Sequence, residues 1–364
     1  MIYSPPRVVV AKLTSWLNLQ GVGSGPVSGL TVLAGGTQNL LVRFSRDGHD
    51  YVLRMPPGHP RPNSDATMVR EASILAGLTG SVVPHPRLVA LCEDLDVFGC
   101  CFFVMEAVDG YNAMSEVPQR FREDPELQLR MGLSFVDALA ALGRVDPVAA
   151  GIAHLGRAEG WLERQVARWR RQLDSYGEFD AWPGPDQLGD VTALGRWLEE
   201  RVPRRWRPGV IHGDFHLGNV LFSRSAPEVA AVLDWELATI GDPLLDLGHL
   251  LATWPGPGGP GRIPPAAPLP GLPGPAAILE RYATGTDRDL SEISWYQALA
   301  CYRLAILLEG SHARAAAGRA PADIGAKLHT AAVTLVEQGL RLATGETAAP
   351  LPSSDDARGT LRTL

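Results

Sequence analysis

Cysteine is scarce in this 364-residue chain: only Cys92, Cys100, Cys101 and Cys301 occur. None forms a C-x-x-C pair, and Cys100 and Cys101 sit in the apolar run CCFFVM. That arrangement argues against a disulfide framework or a thiolate metal site and for buried thiols in a reducing compartment. Long apolar runs are missing too. The best candidate, ALACYRLAILL, falls short of the ~20 residues a bilayer needs and carries Arg303 in its middle. Pro5, Pro6, Arg7 and Lys12 interrupt the N-terminal stretch, so it lacks the unbroken apolar centre of a secretion signal. Excess positive charge is absent: the formal charge of -7 excludes the basic footprint of a general nucleic-acid binder. No G-x-x-x-x-G-K-[ST] sequence occurs, which removes a P-loop. The chain reads as cytoplasmic, with no nucleic acid and no membrane among its partners.

What is present is an ordinary globular balance, 45% apolar and 20% charged, in a length that suits two lobes around a shared cleft. Residues 5–19 repeat Val9, Leu13, Trp16 and Leu17 at helical spacing. Three β-rich runs follow at 30–34, 39–45 and 51–55, the last two separated by Asp47-Gly48, a hairpin signal. A helix is expected over 65–79, then strands over 87–93 and 101–106, completing an antiparallel sheet of about five strands. Residues 126–207 are helical in period, with tryptophans at 161, 169, 182, 197 and 206. Residues 209–235 return to β character, and helices resume from 243. Nine Pro and six Gly among residues 255–276 exclude regular structure there. The last ~20 residues read as a frayed tail.

The informative segment is His212-Gly-Asp214-Phe-His-Leu-Gly-Asn219, followed by Asp234-Trp-Glu236 after the apolar run VAAVL. Phosphoryl transfer to a hydroxyl needs one carboxylate to orient the acceptor and take its proton. It also needs oxygen ligands that hold Mg²⁺ against the nucleotide phosphates. Asp214 with Asn219 five residues on, and Asp234 twenty residues on, supplies that set with the spacing of a kinase catalytic loop and metal-binding Asp. A rival reading takes the alternating His212, Asp214 and His216 as ligands of a metallohydrolase, with His249 and the Asp242/Asp246 pair as further donors. Gly21, Gly23 and Gly25 suggest a dinucleotide fingerprint only weakly, because a helix precedes them and no βαβ unit follows. Gly35-Gly36, between two strands, lets backbone approach phosphate closely, and it also suits an ordinary hairpin turn.

H-G-D-x-x-x-x-N, D-W-E and G-D-P-x-x-D-L (241–247), in that order, resemble the aminoglycoside phosphotransferase and choline kinase family. GGTQNLL, YVLRMPP, VREASIL, FFVMEAVDG and GRAEGWLERQVARW are most similar to the kinase-type domain of acyl-CoA dehydrogenase family members ten and eleven. The resemblance implies an α+β, bilobal protein-kinase-like fold. A small antiparallel-sheet lobe over 1–107 binds nucleotide, a larger mainly helical lobe over 108–345 binds the acceptor, and 346–364 form a flexible tail. It implies ATP and Mg²⁺ as cofactors and a small-molecule hydroxyl acceptor, and it leaves oligomeric state open. Asp214 becomes the catalytic base, and Asn219 and Asp234 the metal ligands. Gly35, Gly36, Arg54 and Glu71 contact the nucleotide side, and the main chain of Glu106 and Val108 forms an adenine hinge. His212 and Asp246 become braces of the loop, and Glu236 a solvated or water-linked neighbour of the metal. Arg54 departs from the usual Lys, and that departure keeps a nucleotide-binding pseudokinase scaffold as an alternative, beside an antibiotic kinase of the aminoglycoside or macrolide type.

The acceptor is expected to be neutral or anionic. Residues 109–175 carry ten acidic and nine basic side chains, including Arg164, Arg168, Arg170 and Arg171, and residues 300–345 hold more Arg and Lys than Asp and Glu. A polycation would need a strongly acidic surface to pair its charges. The resemblance points to hydroxyacyl-CoA thioesters, with a natural-product or peptide hydroxyl as the next choice.

Overall fold

A computed structural model describes residues 7–33, 39–57, 62–257 and 265–345. Gly35, Gly36 and the tail beyond 345 lie outside the described residues. The chain opens with helix α1 (Arg7–Leu19), then strands β1 (Ser28–Val32), β2 (Leu40–Arg46) and β3 (His49–Met55). Helix α2 (Ser64–Leu78) and β4 (Leu88–Cys92) follow, then a one-turn helix α3 (Leu95–Phe98) and β5 (Phe102–Glu106). These strands form one antiparallel sheet in the order β1-β2-β3-β5-β4.

Asp47 (φ 49°) and Gly48 (φ 76°) both adopt positive φ, so they join β2 to β3 with the twist a tight hairpin requires. The Asp47 carboxylate also accepts from the amides of Ser24 (2.5 Å) and Gly25 (2.9 Å). The end of the glycine run that imitates a dinucleotide fingerprint is thus tied to a carboxylate of its own chain. Alternation along the strands covers both faces of the sheet. Phe44, Leu53, Phe102 and Val104 pack against Leu13, Trp16 and Leu17 of α1. Phe103 joins Met68, Ala72 and Leu75 of α2 on the opposite face.

The larger body begins with α4 (Gln119–Glu123) and α5 (Pro125–Gly143), whose first turn is capped by Asp124 accepting from the amides of Glu126 and Leu127. The helical period expected across 126–207 breaks into α5, α6 (Gln165–Asp174) and α7 (Val191–Glu200). Gly151, Gly156 and Gly160 punctuate the first gap, and Pro183, Gly184, Pro185 and Gly189 the second. The tryptophans mark contacts with the core and not one helical face: Trp161 and Trp169 are buried in it, while Trp182, Trp197 and Trp206 lean on its edge. Short strands β6 (Gly209–Ile211) and β9 (Thr239–Gly241) pair with each other, as do β7 (Val220–Phe222) and β8 (Val229–Val232). Helices α8 (Leu244–Thr253), α9 (Pro275–Thr284), α10 (Ile293–Ala316) and α11 (Ala322–Thr344) complete the body. The described part of the Pro/Gly-rich segment has neither helix nor strand before Pro275 opens α9. All four cysteines are free, three of them buried.

Candidate active site

The two small hairpins bring the motif residues together. β6 leads into the loop 212–219, β7 and β8 return the chain to Asp234, and β9 runs back beside β6. Asn219 and Asp234 therefore flank one end of the β7/β8 hairpin, where the Leu233 amide donates to the Asn219 carbonyl at 2.7 Å.

A buried carboxylate organises this loop. Asp246, in the first turn of α8 and fully inaccessible, accepts from the amides of His212 (2.6 Å) and Gly213 (2.9 Å). Burial raises its pKa, opposed by His212 and those two amides. His212 is equally committed: Nε2 lies 2.8 Å from the Leu233 carbonyl, and Nδ1 accepts from the Asp214 amide at 3.2 Å. With both nitrogens spent on backbone, His212 has no lone pair left to complete a metal set with Asp214 and His216. The geometry thus removes the metallohydrolase arrangement.

Asp214 is partly open, its side chain 39% exposed. Asn219 donates through Nδ2 to the Asp214 carboxylate (3.0 Å) and carbonyl (2.9 Å), which leaves Oδ1 as the acceptor of that amide. His216 places Nε2 3.4 Å from one Asp214 oxygen, while its Nδ1 accepts from the Gly218 amide at 3.0 Å and fixes the tautomer. His249, buried on α8, places Nε2 3.7 Å from the other oxygen, and burial pushes it down to about 3, so it is neutral. Burial would push the Asp214 carboxyl up. His216, whose Nε2 faces the carboxylate, more than offsets this and holds it well below the usual carboxylate range. Asp214 is ionised throughout the neutral range.

On the sheet side, Arg54 is buried on β3. Its Nε donates to Glu71 of α2 at 2.9 Å and its Nη2 to Asp234 at 2.8 Å, with Glu236 3.9 Å away. One guanidinium thus serves three carboxylates, and Asn39 donates to Glu236 at 3.2 Å. Asp234 adopts the left-handed region (φ 60°, ψ 68°), a strained conformation for a non-glycine residue. Burial, only partly opposed by Arg54, pushes Glu71 up to about 7. The residues fit a hard divalent cation: the surplus carboxylate charge calls for one, and the Asp234 carboxylate and Asn219 Oδ1 are oxygen donors at the same hairpin end.

Glu106 ends β5 with its amide bonded to the Arg87 carbonyl (2.9 Å) and its carboxylate paired with Arg87. The Ala107 amide donates to the Asp50 carbonyl at 3.0 Å, so the strand pairing stops just before Val108.

Sequence reasoning missed two residues here. Arg303, on α10, is buried and donates to the Gly213 carbonyl, and its Nη1 finds no partner among the described residues. His249 was read only as a spare metal donor. Neither lies near the motif in sequence. The only available signal was polarity inside otherwise apolar helices, which marks a buried, paired or functional group.

The model of the phosphotransferase enzyme family matches residues 29–296. The chain belongs to that family. It is 28% identical over 375 residues to acyl-CoA dehydrogenase family member 11 of Rattus norvegicus, covering 97% of this chain and 45% of that one. It is 27% identical to family member 10 of Mus musculus, covering 74% of this chain and 25% of the relative. The chain thus spans less than half the length of these curated relatives. Among solved structures, a putative aminoglycoside phosphotransferase from Ralstonia eutropha JMP134 superposes with a TM-score of 0.77 at 27% identity, covering 92% of this chain and 98% of that one. A ternary complex of an APH(4)-Ia mutant with AMP-PNP and hygromycin B gives 0.60 at 17% identity, covering 93% and 100%, and shares the fold. This phosphotransferase has the kinase-like α+β architecture of those neighbours, with the five-stranded antiparallel sheet beside a mainly helical body.

Substitution of Arg54 separates its charge from its shape. Arg54→Lys is expected to keep at least part of the nucleotide affinity. Arg54→Ala is expected to raise the KM for ATP strongly and to destabilise the fold by about 3 kcal/mol, because Glu71 is left buried and unpaired. An acid whose folded pKa lies above its ordinary value favours the folded state at low pH, and that advantage is lost as pH rises from the ordinary value through about 7. Urea unfolding of Arg54→Ala should therefore show a larger deficit at pH 8 than at pH 6. Unchanged ATP kinetics in Arg54→Ala would reduce Arg54 to a structural charge.

Proposed function

We propose that this phosphotransferase moves the γ-phosphate of ATP to a hydroxyl of a small molecule. Residues up to 107 contribute the nucleotide side and residues 108–345 the acceptor side. The observation that carries the reading is the pairing of an ionised, partly open Asp214 with an Asn219 whose amide nitrogen is tied to it. That bond holds a carboxylate and the amide oxygen of Asn219 on one short loop, which supports the reading of a proton acceptor beside a metal ligand. Asp214 would orient the acceptor hydroxyl and take its proton. Asn219 and Asp234 would hold Mg²⁺, which when bound supplies charge neutralisation at the phosphates. Arg54, placed by Glu71, would face the phosphates, and the main chain of Glu106 and Val108 would receive the base. A nucleotide donor is supported by neighbours solved with AMP-PNP, ADP or GDP, and ATP is the donor we propose.

For the acceptor we propose a neutral or anionic hydroxyl compound, with a hydroxyacyl thioester of coenzyme A as the first choice. Beside Asp214 stand His216 and His249, and Arg303 donates to the adjacent Gly213 carbonyl, with no partner for its Nη1 among the described residues. A polycation would have to approach Asp214 over the buried positive charge of Arg303 behind the same loop. The acyl-CoA dehydrogenase relatives add an acyl-CoA context. ADP release should be compared with kanamycin-type aminoglycosides, 4-hydroxyacyl-CoA and neutral hydroxylated metabolites as acceptors. Turnover of the thioester or a neutral hydroxyl compound is expected. An aminoglycoside turned over with kcat/KM above about 10⁴ M⁻¹s⁻¹ would overturn the acceptor class. Nucleotide binding without turnover of any acceptor would favour a scaffold.

A further inference from the structure

Away from the loop bearing Asp214, α10 and α11 bring together three side chains that phosphoryl transfer does not use. Glu309 and His312 stand three residues apart on α10 and so share one face of that helix, and His329 meets them from α11. One ligand atom from each lies within 4.8 Å of the other two. Glu309 is fully inaccessible, an expensive position for a carboxylate without strong partners. Its partners are Trp182, donating through Nε1 to Oε1 at 2.7 Å, and His329, whose Nδ1 lies 2.8 Å from Oε2. The two imidazoles lie side by side and tilted, with centroids 4.5 Å apart and planes 30° apart.

His312 Nδ1 is the unsatisfied member. The atom is buried and has no partner among the described residues. Gly325 of α11 stands opposite and supplies no side chain to meet it; a Cβ built there would lie 3.7 Å from that nitrogen. A buried imidazole nitrogen left without a donor or acceptor costs free energy, and a bound cation would relieve it.

We propose that Glu309, His312 and His329 form a binding site for a borderline transition-metal ion, zinc being the class representative. Two imidazoles and one carboxylate are the donor set that zinc accepts, in contrast to the all-oxygen set suited to magnesium. Two donors at tetrahedral zinc lie about 3.3 Å apart, so the present spread of up to 4.8 Å must contract modestly. His329 can supply that movement, because its side chain is still 23% exposed, and it also offers the route of entry. The Trp182 N–H orients the carboxylate from behind, and solvent would complete the coordination sphere. The ion would pin α11 to α10, the helix that also carries Arg303.

The test uses the full chain, made without a polyhistidine tag, stripped with chelator and titrated with zinc chloride by calorimetry. Cobalt chloride is followed in parallel by visible absorption. One equivalent of zinc should bind, raise the thermal midpoint and survive Asp234→Ala, which separates it from the nucleotide metal. His312→Asn removes a side chain whose Nδ1 has no partner, so it should fold and yet lose zinc affinity about 100-fold or more. Trp182→Phe should weaken zinc by about 10-fold or more through loss of the bond to Glu309. The His312→Asn protein should also lose the cobalt absorption of nitrogen coordination. The proposal is overturned if the wild-type protein takes up no zinc saturably, or if folded His312→Asn binds the same equivalent with unchanged affinity and an unchanged cobalt spectrum.

Discussion

Asp214→Asn is expected to lower kcat for any hydroxyl acceptor by about 10²–10⁴ or more while leaving the affinity for ATP nearly unchanged. The amide occupies the same volume and can still meet Asn219 and His216, so the loop keeps its shape. What it loses is the capacity to accept a proton. In the native protein His216 keeps the carboxyl below the usual carboxylate range, so the whole population of wild-type enzyme carries the base in its competent form at neutral pH. The hydrogen bonds and ion pairs of Asp214 run to Asn219, His216 and His249 and not to Arg54 or Asp234, which is why nucleotide binding should survive. Stopped-flow or steady-state kinetics on the purified variant, with folding checked by circular dichroism, decides the matter. A kcat within a few-fold of wild type would remove Asp214 from this role.

The second large effect is expected at Asp234. Asp234→Ala should abolish most magnesium-dependent nucleotide binding, and Asn219→Ala should weaken it more mildly, because a carboxylate gives a hard cation far more than an amide oxygen does. The substitution has a second consequence that the structure makes visible. Arg54 loses its 2.8 Å partner and is left with Glu71 and the more distant Glu236. Metal-free ATP is therefore expected to bind Asp234→Ala no worse than wild type, since the guanidinium is released. Calorimetry with ATP alone and with Mg·ATP separates the two effects. Equal Mg·ATP affinity in Asp234→Ala and wild type would end the metal assignment.

The sheet was legible in the sequence because its signals are local. Asp47-Gly48 between two β-rich runs can hardly be anything but a tight turn, and the expected helix at 65–79 runs over Ser64–Leu78. The stretch 126–207 was less legible, because apolar spacing alone does not show where a helix stops when short loops also bury tryptophans. The motif residues 212–219 and 234 were readable as a group through their spacing and order. Arg303 and His249 were not, since each reaches the loop from a helix that comes later in the chain. The Glu309, His312 and His329 group was invisible for the same reason: an E-x-x-H pair on a helix has no meaning until α11 folds against it.

Asp246 gives the loop an unusual mechanical character. Loops ordinarily open on their own, at a cost well below that of unfolding the domain. Here the amides of His212 and Gly213 end on a carboxylate that is itself sealed in the core, and Arg303 grips the next carbonyl from α10. Swinging the loop away would strip a buried charge of its donors, which costs several kcal/mol. The segment that bears Asp214 therefore moves with the interior of the protein and not with its surface. On heating, activity should fade together with the global melt and not ahead of it.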